Sequence, residues 1–193
     1  MLVQITLPEW VDNFLKNYPE RFISIEERMK FVIDLSKANV ENATGGPFGA
    51  AIFEKNSGKL ISVGVNRVTA INNSVAHAEV VAIMMAEKAL NNFDLSSENL
   101  PDLQLVTSSQ MCIMCYGAVI WSGVKSVVMG ARGEDVEKTC GFDEGPLPEN
   151  WIEELNKRGI EILRDVLKDD AKAVLQYYCD KHSIIYNPSR AKK

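Results

Sequence analysis

Apolar residues recur at helical spacing in several segments of the chain. Near the start, apolar residues at positions 10, 11, 14 and 15 predict a short helix that begins close to Pro8. Ser24 followed by Glu27 forms a capping-box pattern, which predicts a longer helix that runs to about Glu41. Further helices are predicted at 76–90, 112–121, 134–139, 150–158 and 169–181.

Short apolar runs alternate with these helices and predict strands. The runs at 50–53 and 60–65 are separated by Glu54-Lys-Asn-Ser-Gly-Lys59, whose turn composition predicts a hairpin. Three more strands are predicted at 103–107, 124–131 and 160–163. Two strands followed by alternating helix and strand favour an α/β fold, in which helices cover both faces of a mixed sheet.

The chain of 193 residues fits one domain, and no repeat, low-complexity tract or linker divides it. We therefore expect a single domain over 1–193, with an N-terminal extension at 1–23 and a C-terminal helix and tail at 165–193. The tail segment Ser183-Ile-Ile-Tyr-Asn-Pro188 is apolar for a chain end. Such segments are usually tied down by packing.

Composition and charge narrow the possible functions. Hydrophobic residues make up 46% of the chain and charged residues 24%, as in an ordinary globular protein. No apolar run approaches the ~20 residues that a bilayer span needs, so no membrane partner is expected. The net charge of −5 disfavours a nucleic-acid partner. Because the first residues lack a secretory pattern, we expect a cytoplasmic location.

The chain contains four cysteines, at positions 112, 115, 140 and 179. Without an export signal, free thiols are favoured over disulfides. Cys140 and Cys179 are therefore expected to be small buried residues. Cys112 and Cys115 differ, because a spacing of three residues brings both sulfurs to one side of a turn or helix start, where they can bind one ion.

A catalytic zinc site is the chemistry that the combination of His77, Cys112 and Cys115 favours. Three protein ligands leave the fourth tetrahedral position open, which is typical of catalytic rather than structural zinc. At such a position the pKa of water falls to roughly 7, so a nucleophile exists near neutral pH. Glu79, two residues after the histidine, is then placed to move the proton of that water to a leaving group.

Three other interpretations of these residues compete with a catalytic zinc. A structural zinc site would need a fourth ligand, and neither His182 nor Cys140 belongs to a recognisable second half-site. A thiol oxidoreductase would be expected to carry its Cys-x-x-Cys after the first strand of a βαβ unit, whereas here the motif comes late. A zinc-stabilised binding module without turnover leaves Glu79 with no task.

At these residues the sequence resembles the zinc-dependent cytidine and nucleobase deaminase superfamily, whose pattern is H-x-E followed by P-C-x-x-C. The pattern stands here as His77-Ala-Glu79 and Met111-Cys-Ile-Met-Cys115, with Met111 in place of a proline that presets the first helical turn. This departure bears on metal affinity rather than on ligand identity. The segments that match guanine deaminases of the bacterial small-subunit kind, clearly over about 25–145, are Gly45-Gly-Pro-Phe-Gly-Ala50, Asn66, Ala76-His-Ala-Glu79, Cys115-Tyr-Gly-Ala-Val-Ile-Trp121 and Gly141-Phe-Asp-Glu144.

The resemblance implies a three-layer α/β/α sandwich with a central sheet of about five strands, and one zinc ion per chain held by His77, Cys112 and Cys115. It also implies a homodimer in which the C-terminal segment crosses to the partner and closes its pocket. The substrate would be a small purine base. The residues that it places around that base are Asn66 as a hydrogen-bonding group, Phe48 and Trp121 as aromatic walls, Ala78 through its backbone, Asp143 and the second acid Glu144 in one loop, and Tyr186 from the tail.

The function that the resemblance implies is hydrolytic deamination of guanine to xanthine and ammonia, with Glu79 and Glu144 handling protons and amino-triazines as further substrates. A deaminase of cytosine, cytidine, guanosine or tRNA adenosine is the alternative within the superfamily. Several residues also have a purely structural interpretation. Asn66 suits a turn, Phe48 and Trp121 suit a core, Asp143 with Glu144 suits a solvated loop, and Tyr186 suits tail packing.

Overall fold

A computed structural model describes residues 3–188, so positions 189–193 of the predicted C-terminal tail lie outside the described residues. The strands are β1 (Gly49–Glu54), β2 (Leu60–Val65), β3 (Leu103–Ser109), β4 (Ser126–Ala131) and β5 (Glu161–Leu163). The helices are α1 (Trp10–Leu15), α2 (Ile25–Glu41), α3 (Val68–Ile71), α4 (Ala78–Leu90), α5 (Ile113–Ser122), α6 (Gly133–Cys140), α7 (Trp151–Asn156) and α8 (Lys168–Asp180). The one-turn helix α3 lies between β2 and α4, where the sequence pattern predicts neither a helix nor a strand.

The strands form one mixed sheet in the order β2-β1-β3-β4-β5. β1 runs antiparallel to both β2 and β3, whereas β3, β4 and β5 are parallel to one another. The predicted hairpin and the predicted mixed sheet of five strands are therefore confirmed.

Alternate residues of the strands feed two separate hydrophobic cores, one on each face of the sheet. In β1, Ala51 and Phe53 pack into the core beneath α2 and α8, while Ala50 and Ile52 pack into the core beneath α4 and α5. This alternation is the consequence of the two-residue period of a strand. The result is the expected three-layer α/β/α sandwich.

The longest helix begins where the sequence predicts. Ser24 Oγ accepts a hydrogen bond from the backbone N–H of Glu27, and the Glu27 carboxylate accepts one from the backbone N–H of Ser24. This reciprocal capping box satisfies two of the donors that a helix start leaves unpaired. α2 is thereby fixed against β1 and β3.

Cys140 and Cys179 form a disulfide, which corrects the expectation of free buried thiols. Cys140 ends α6 and Cys179 lies in the last turn of α8, and the packing of these two helices brings their Cα atoms to 5.8 Å. The pairing depends on a helix contact between residues 39 positions apart, which no local pattern reveals. None of the helices in 3–188 is long and apolar enough to cross a bilayer.

Gly64 in β2 lets α4 approach the sheet very closely. A Cβ atom at this position would lie 2.1 Å from the carbonyl oxygen of Ala78 and 2.4 Å from the backbone nitrogen of Ala82. Both atoms belong to the first turns of α4, and backbone atoms cannot move aside as a flexible side chain can. Gly64 therefore determines where the start of α4 lies relative to the sheet.

We expect Gly64→Ala to destabilise the protein by about 3 kcal/mol, because the methyl group forces the whole helix away from the sheet. The measurement is the thermal unfolding midpoint, which should fall by roughly 5–10 °C. Gly117→Ala is the matched control, since a Cβ on Gly117 has no neighbouring atom within 4 Å. Equal midpoints for the two variants would contradict the close packing of α4 on β2.

Candidate active site

Two helices begin next to each other at one end of the sheet, and each begins at a predicted metal ligand. His77 is the N-cap residue of α4 and Cys112 is the N-cap residue of α5. The carbonyl oxygens of these two residues accept the first hydrogen bonds of their helices, from the backbone N–H groups of Val81 and Tyr116. Both side chains are therefore held by regular backbone structure rather than by a free loop.

The donor atoms of His77, Cys112 and Cys115 all lie within 4.8 Å of one another. Nδ1 of His77 is 3.5 Å from Sγ of Cys112 and 3.7 Å from Sγ of Cys115. A tetrahedral zinc ion with bonds of about 2.1 Å to nitrogen and about 2.3 Å to sulfur would place such atoms about 3.6 Å apart. The donor set and its spacing therefore fit zinc.

The electrostatics of the cluster favour a thiolate. A hydrogen bond from Cys115 is the main cause that lowers the pKa of Cys112 to about 4, with a further contribution from His77. The N-terminus of α5 adds partial positive charge at the same place. Burial lowers the pKa of His77, but its hydrogen bond to Cys112 and the nearby negative charges outweigh burial and raise that pKa.

Glu79 lies in the first turn of α4, with only 6% of its surface exposed, and its carboxyl group lines the cavity beside the metal ligands. Burial, and next the negative charge of Cys112, raise its pKa to about 6. A carboxyl group with a pKa near neutrality can both accept and release a proton, which is what general acid–base catalysis requires.

Glu144 reaches the same cavity from the loop that follows α6. Its backbone carbonyl accepts a hydrogen bond from the N–H of Ile113, the first residue of α5, so the loop is fixed next to Cys112. Burial, followed by the negative charges of Cys112 and Glu79, raises the pKa of Glu144 to about 9. Asp143 also lines the cavity and accepts a hydrogen bond from the backbone N–H of Gly145.

Asn66 and Phe48 also line the cavity. Asn66 is fully buried, and its Oδ1 accepts hydrogen bonds from the backbone N–H groups of Gly46 and Val68. Asn39 on α2 donates to the backbone carbonyls of both Gly46 and Asn66, which holds the glycine-rich loop and the asparagine together. The side-chain amide of Asn66 thus has a defined orientation, with its NH₂ group toward the cavity.

Tyr186 from the C-terminal tail covers the cavity of its own chain. Its hydroxyl accepts a hydrogen bond of 2.7 Å from Nδ2 of Asn66, and its ring lies 4.9 Å from that of Phe142. Burial raises the pKa of the hydroxyl well above its ordinary value. The resemblance implies that this segment closes the pocket of a partner chain, whereas in the single chain it covers the chain's own cavity.

Two of the predicted base-contacting residues do not line the cavity. Trp121 is 87% exposed, which corrects the expectation that it forms an aromatic wall. The physical reason is its position on α5, where Cys115 and Val119 face inward and a residue two places further is turned by about 200°. Ala78 is fully buried between His77 and Glu79, behind the residues that form the cavity surface.

The cavity has a volume of about 260 Å³ and contains several residues that the sequence does not single out. They are contributed by the segment after β2, by the end of β3 and the start of α5, by the loop after α6 and by the end of the described tail. The missed residues are Val68, Ser74, Gln110, Ile113, Met114, Phe142, Gly145, Asn187 and Pro188. Ile113 and Met114 could have been found from the sequence, since they lie between the two cysteines, and so could Phe142, which lies next to Asp143 in a matched segment.

A family model described as the zinc-binding region of cytidine and deoxycytidylate deaminases matches residues 23–131, more than half of the chain. A solved structure of guanine deaminase from Nitrosomonas europaea is 47% identical, has a TM-score of 0.86, and is matched over 92% of this chain and 96% of that one.

Two curated relatives are also deaminases. Guanine deaminase from Bacillus subtilis (strain 168) is 39% identical over 119 residues, which is 62% of this chain and 71% of the relative. tRNA-specific adenosine deaminase from Buchnera aphidicola subsp. Schizaphis graminum is 29% identical over 133 residues, 68% of this chain and 79% of the relative.

The two histidines of the chain offer a matched test of the metal site. We expect His77→Asn to reduce zinc well below one ion per chain, because a ring nitrogen is lost from the donor set. His182→Asn should keep one zinc ion per chain, since His182 lies in the exposed turn after α8, where asparagine tolerates the positive φ of 52°. The zinc content of the purified proteins is measured by elemental analysis, and equal zinc in both variants would contradict the assignment.

Proposed function

Because the chain belongs to the family defined by the zinc-binding region of cytidine and deoxycytidylate deaminases, we propose that it is a zinc-dependent hydrolase that converts guanine and water to xanthine and ammonia. The observation that carries this proposal is a single small cavity into which a zinc-type donor set, two proton-holding acids and an oriented asparagine amide all open.

The cavity is suited to one flat base. Its volume of about 260 Å³ is below the roughly 300–1,000 Å³ of pockets for drug-sized ligands. Phe48 and Phe142 form an aromatic wall with ring centroids 5.2 Å apart, against which a planar ring can pack. Asn66 donates from its NH₂ group, and a purine acceptor that takes this hydrogen bond replaces the hydroxyl of Tyr186.

Zinc held by His77, Cys112 and Cys115 supplies the Lewis acidity that makes water a nucleophile near neutral pH. The remaining steps belong to the acids of this chain. Glu79 accepts a proton from the attacking water and delivers it to the ring nitrogen next to the amino-bearing carbon. The proton of the hydroxyl group now on the ring carbon then passes to the amino nitrogen, the carbon–nitrogen bond breaks as the carbonyl of xanthine forms, and ammonia leaves. Glu144, held near Cys112 by Ile113, shares this transfer.

We expect Glu79→Gln to lower kcat for guanine by about 10²–10⁴-fold while zinc stays bound, because the amide cannot carry the proton. Glu87→Gln is the matched control on the same helix, and its turnover should equal that of the unchanged protein. Ammonia release gives the rate and elemental analysis gives the zinc content. Full activity of Glu79→Gln would end the proposed role of this residue.

A substrate panel separates guanine from the alternatives. Ammonia release should be most efficient with guanine and weaker with amino-triazines, cytosine, cytidine and guanosine. A tRNA substrate should be poor, since the chain has a net charge of −5. Turnover of tRNA adenosine or cytidine with guanine inert would favour another member of the family. A zinc-loaded protein that releases no ammonia from any compound would instead support a binding module.

We further propose that two copies form a homodimer through the outward face of α5. This helix carries no acidic residue in its first turn and no basic residue in its last, and two of its apolar side chains are exposed, Trp121 at 87% and Ile113, at the rim of the cavity, at 37%. An apolar patch that a monomer would expose is suited to a second copy of itself, since a two-fold interface brings the same patch from both chains together. Exchange of the tail between the two copies is part of this proposal, and it rests on the resemblance to the deaminases in which the C-terminal segment closes the partner's pocket.

The homodimer is tested by measuring the mass of the particle in solution with light scattering. We expect a mass of two chains for the unchanged protein and of one chain for Trp121→Lys, because a charge at the centre of the apolar patch opposes association. Ile23→Lys is the matched control, since Ile23 is 77% exposed just before α2, which packs on the sheet face opposite to α5. A dimer that survives Trp121→Lys would place the interface elsewhere.

A further inference from the structure

Glu144 is carried by a segment without helix or strand, residues 141–145, which we call the acid loop. Its C-terminal half is held by the bond from the N–H of Ile113 to the carbonyl of Glu144. Gly141 and Gly145, at its two ends, have positive φ angles of 75° and 73°. Because glycine permits many backbone conformations, the direction of the Glu144 side chain depends on what holds the other half of the loop.

Asn187 of the C-terminal tail supplies that second attachment. Its Oδ1 accepts a hydrogen bond of 2.9 Å from the backbone N–H of Asp143, and its Nδ2 donates one of 2.8 Å to the carbonyl of Gly141. One side-chain amide thus binds the loop at two points on either side of Phe142. Two such bonds restrict rotation as well as translation, which a single bond does not.

The tail that carries Asn187 is itself fixed to the site. Tyr178 of α8 donates a hydrogen bond of 2.6 Å from its hydroxyl to the carbonyl of Ile184. Tyr186, which precedes Asn187 in the tail, accepts a hydrogen bond from Asn66 and packs on Phe142 of the acid loop. The Cys140–Cys179 disulfide joins the helices that precede the loop and the tail. The position of the acid loop therefore depends on the position of the tail.

We propose that Asn187 is a positioning residue for Glu144. By binding the backbone of Gly141 and Asp143, it directs the carboxyl group of Glu144 into the cavity only while the tail covers the cavity, whichever of two chains supplies the tail. The proposal deepens the proposed function and rests on it, because the share of Glu144 in proton transfer belongs to that function. Asn187 itself need not touch the reacting atoms.

The first test compares Asn187→Ala with Ile184→Ala. Asn187→Ala removes both bonds to the acid loop, and we expect kcat for guanine to fall about tenfold while KM changes less than threefold, since a misdirected acid slows proton transfer more than binding. Ile184→Ala should leave both constants unchanged, because the side chain of Ile184 is 66% exposed and only its carbonyl is used in the tail contact. A rise in KM with unchanged kcat would overturn the proposal.

A double-mutant cycle shows whether Asn187 acts through Glu144. Glu144→Gln removes the acid and keeps the backbone bond to Ile113. We expect Asn187→Ala to lower kcat about tenfold in the unchanged protein but by less than twofold in the Glu144→Gln background, because an absent acid cannot be misdirected. An equal loss in both backgrounds would mean that Asn187 acts independently of Glu144, and the proposal would be wrong.

Hydrogen–deuterium exchange provides a measurement that needs no turnover. The backbone N–H of Asp143 donates to Asn187, so peptides that cover residues 141–145 should exchange faster in Asn187→Ala and at the unchanged rate in Ile184→Ala. Unaltered exchange in Asn187→Ala would show that Asn187 does not hold the acid loop, even if kcat changed. If guanine is not turned over at all, the proposed function fails, but the exchange rates still decide whether Asn187 holds the acid loop. The double-mutant cycle is then measured with the base that the substrate panel identifies.

Discussion

The meeting of two helix N-termini is the constraint on which the rest of the structure depends. α4 and α5 each begin at a metal-type ligand, and the close approach of α4 to Gly64 determines how near the two beginnings come. The same arrangement puts Glu79 in the first turn of α4 and thus beside the thiolates. Helix N-termini also favour negative charge, which suits a site built from sulfur and carboxylate.

Negative groups are concentrated in this cavity to an unusual degree. Cys112, Cys115, Glu79 and Glu144 lie close enough that the charge of one raises the pKa of the next. A divalent cation is the natural complement of such a cluster, since it lets both sulfurs ionise and leaves the carboxyl groups to hold protons. Burial disfavours the ionised form of Glu79 and Glu144, and the same burial therefore suits both acids to hold and transfer protons.

The second half of the cavity is built from parts of the chain that are distant in sequence. The glycine-rich loop, residues 44–49, is fixed by Asn39 of α2, and the acid loop is fixed by α5 and by the tail. Such segments supply Asn66, Glu144 and Tyr186, which would select and cover a base, whereas the metal ligands lie on regular helices. The metal ligands thus lie at the starts of regular helices, whereas the residues that would contact the base lie on loops and on the tail.

The sequence by itself determined the order of helices and strands, the mixed sheet and the metal ligands, because periodicity, capping and ligand spacing are local properties. His77, Glu79, Cys112 and Cys115 could be identified since each lies within a few residues of another member of the set. Only the tertiary structure decided that Trp121 faces outward, that Cys140 forms a disulfide with Cys179, and that Asn187 binds the acid loop by hydrogen bonds. Each of these depends on how one helix is rotated or packed against a segment far along the chain, and that contact is set by the whole fold rather than by neighbouring residues.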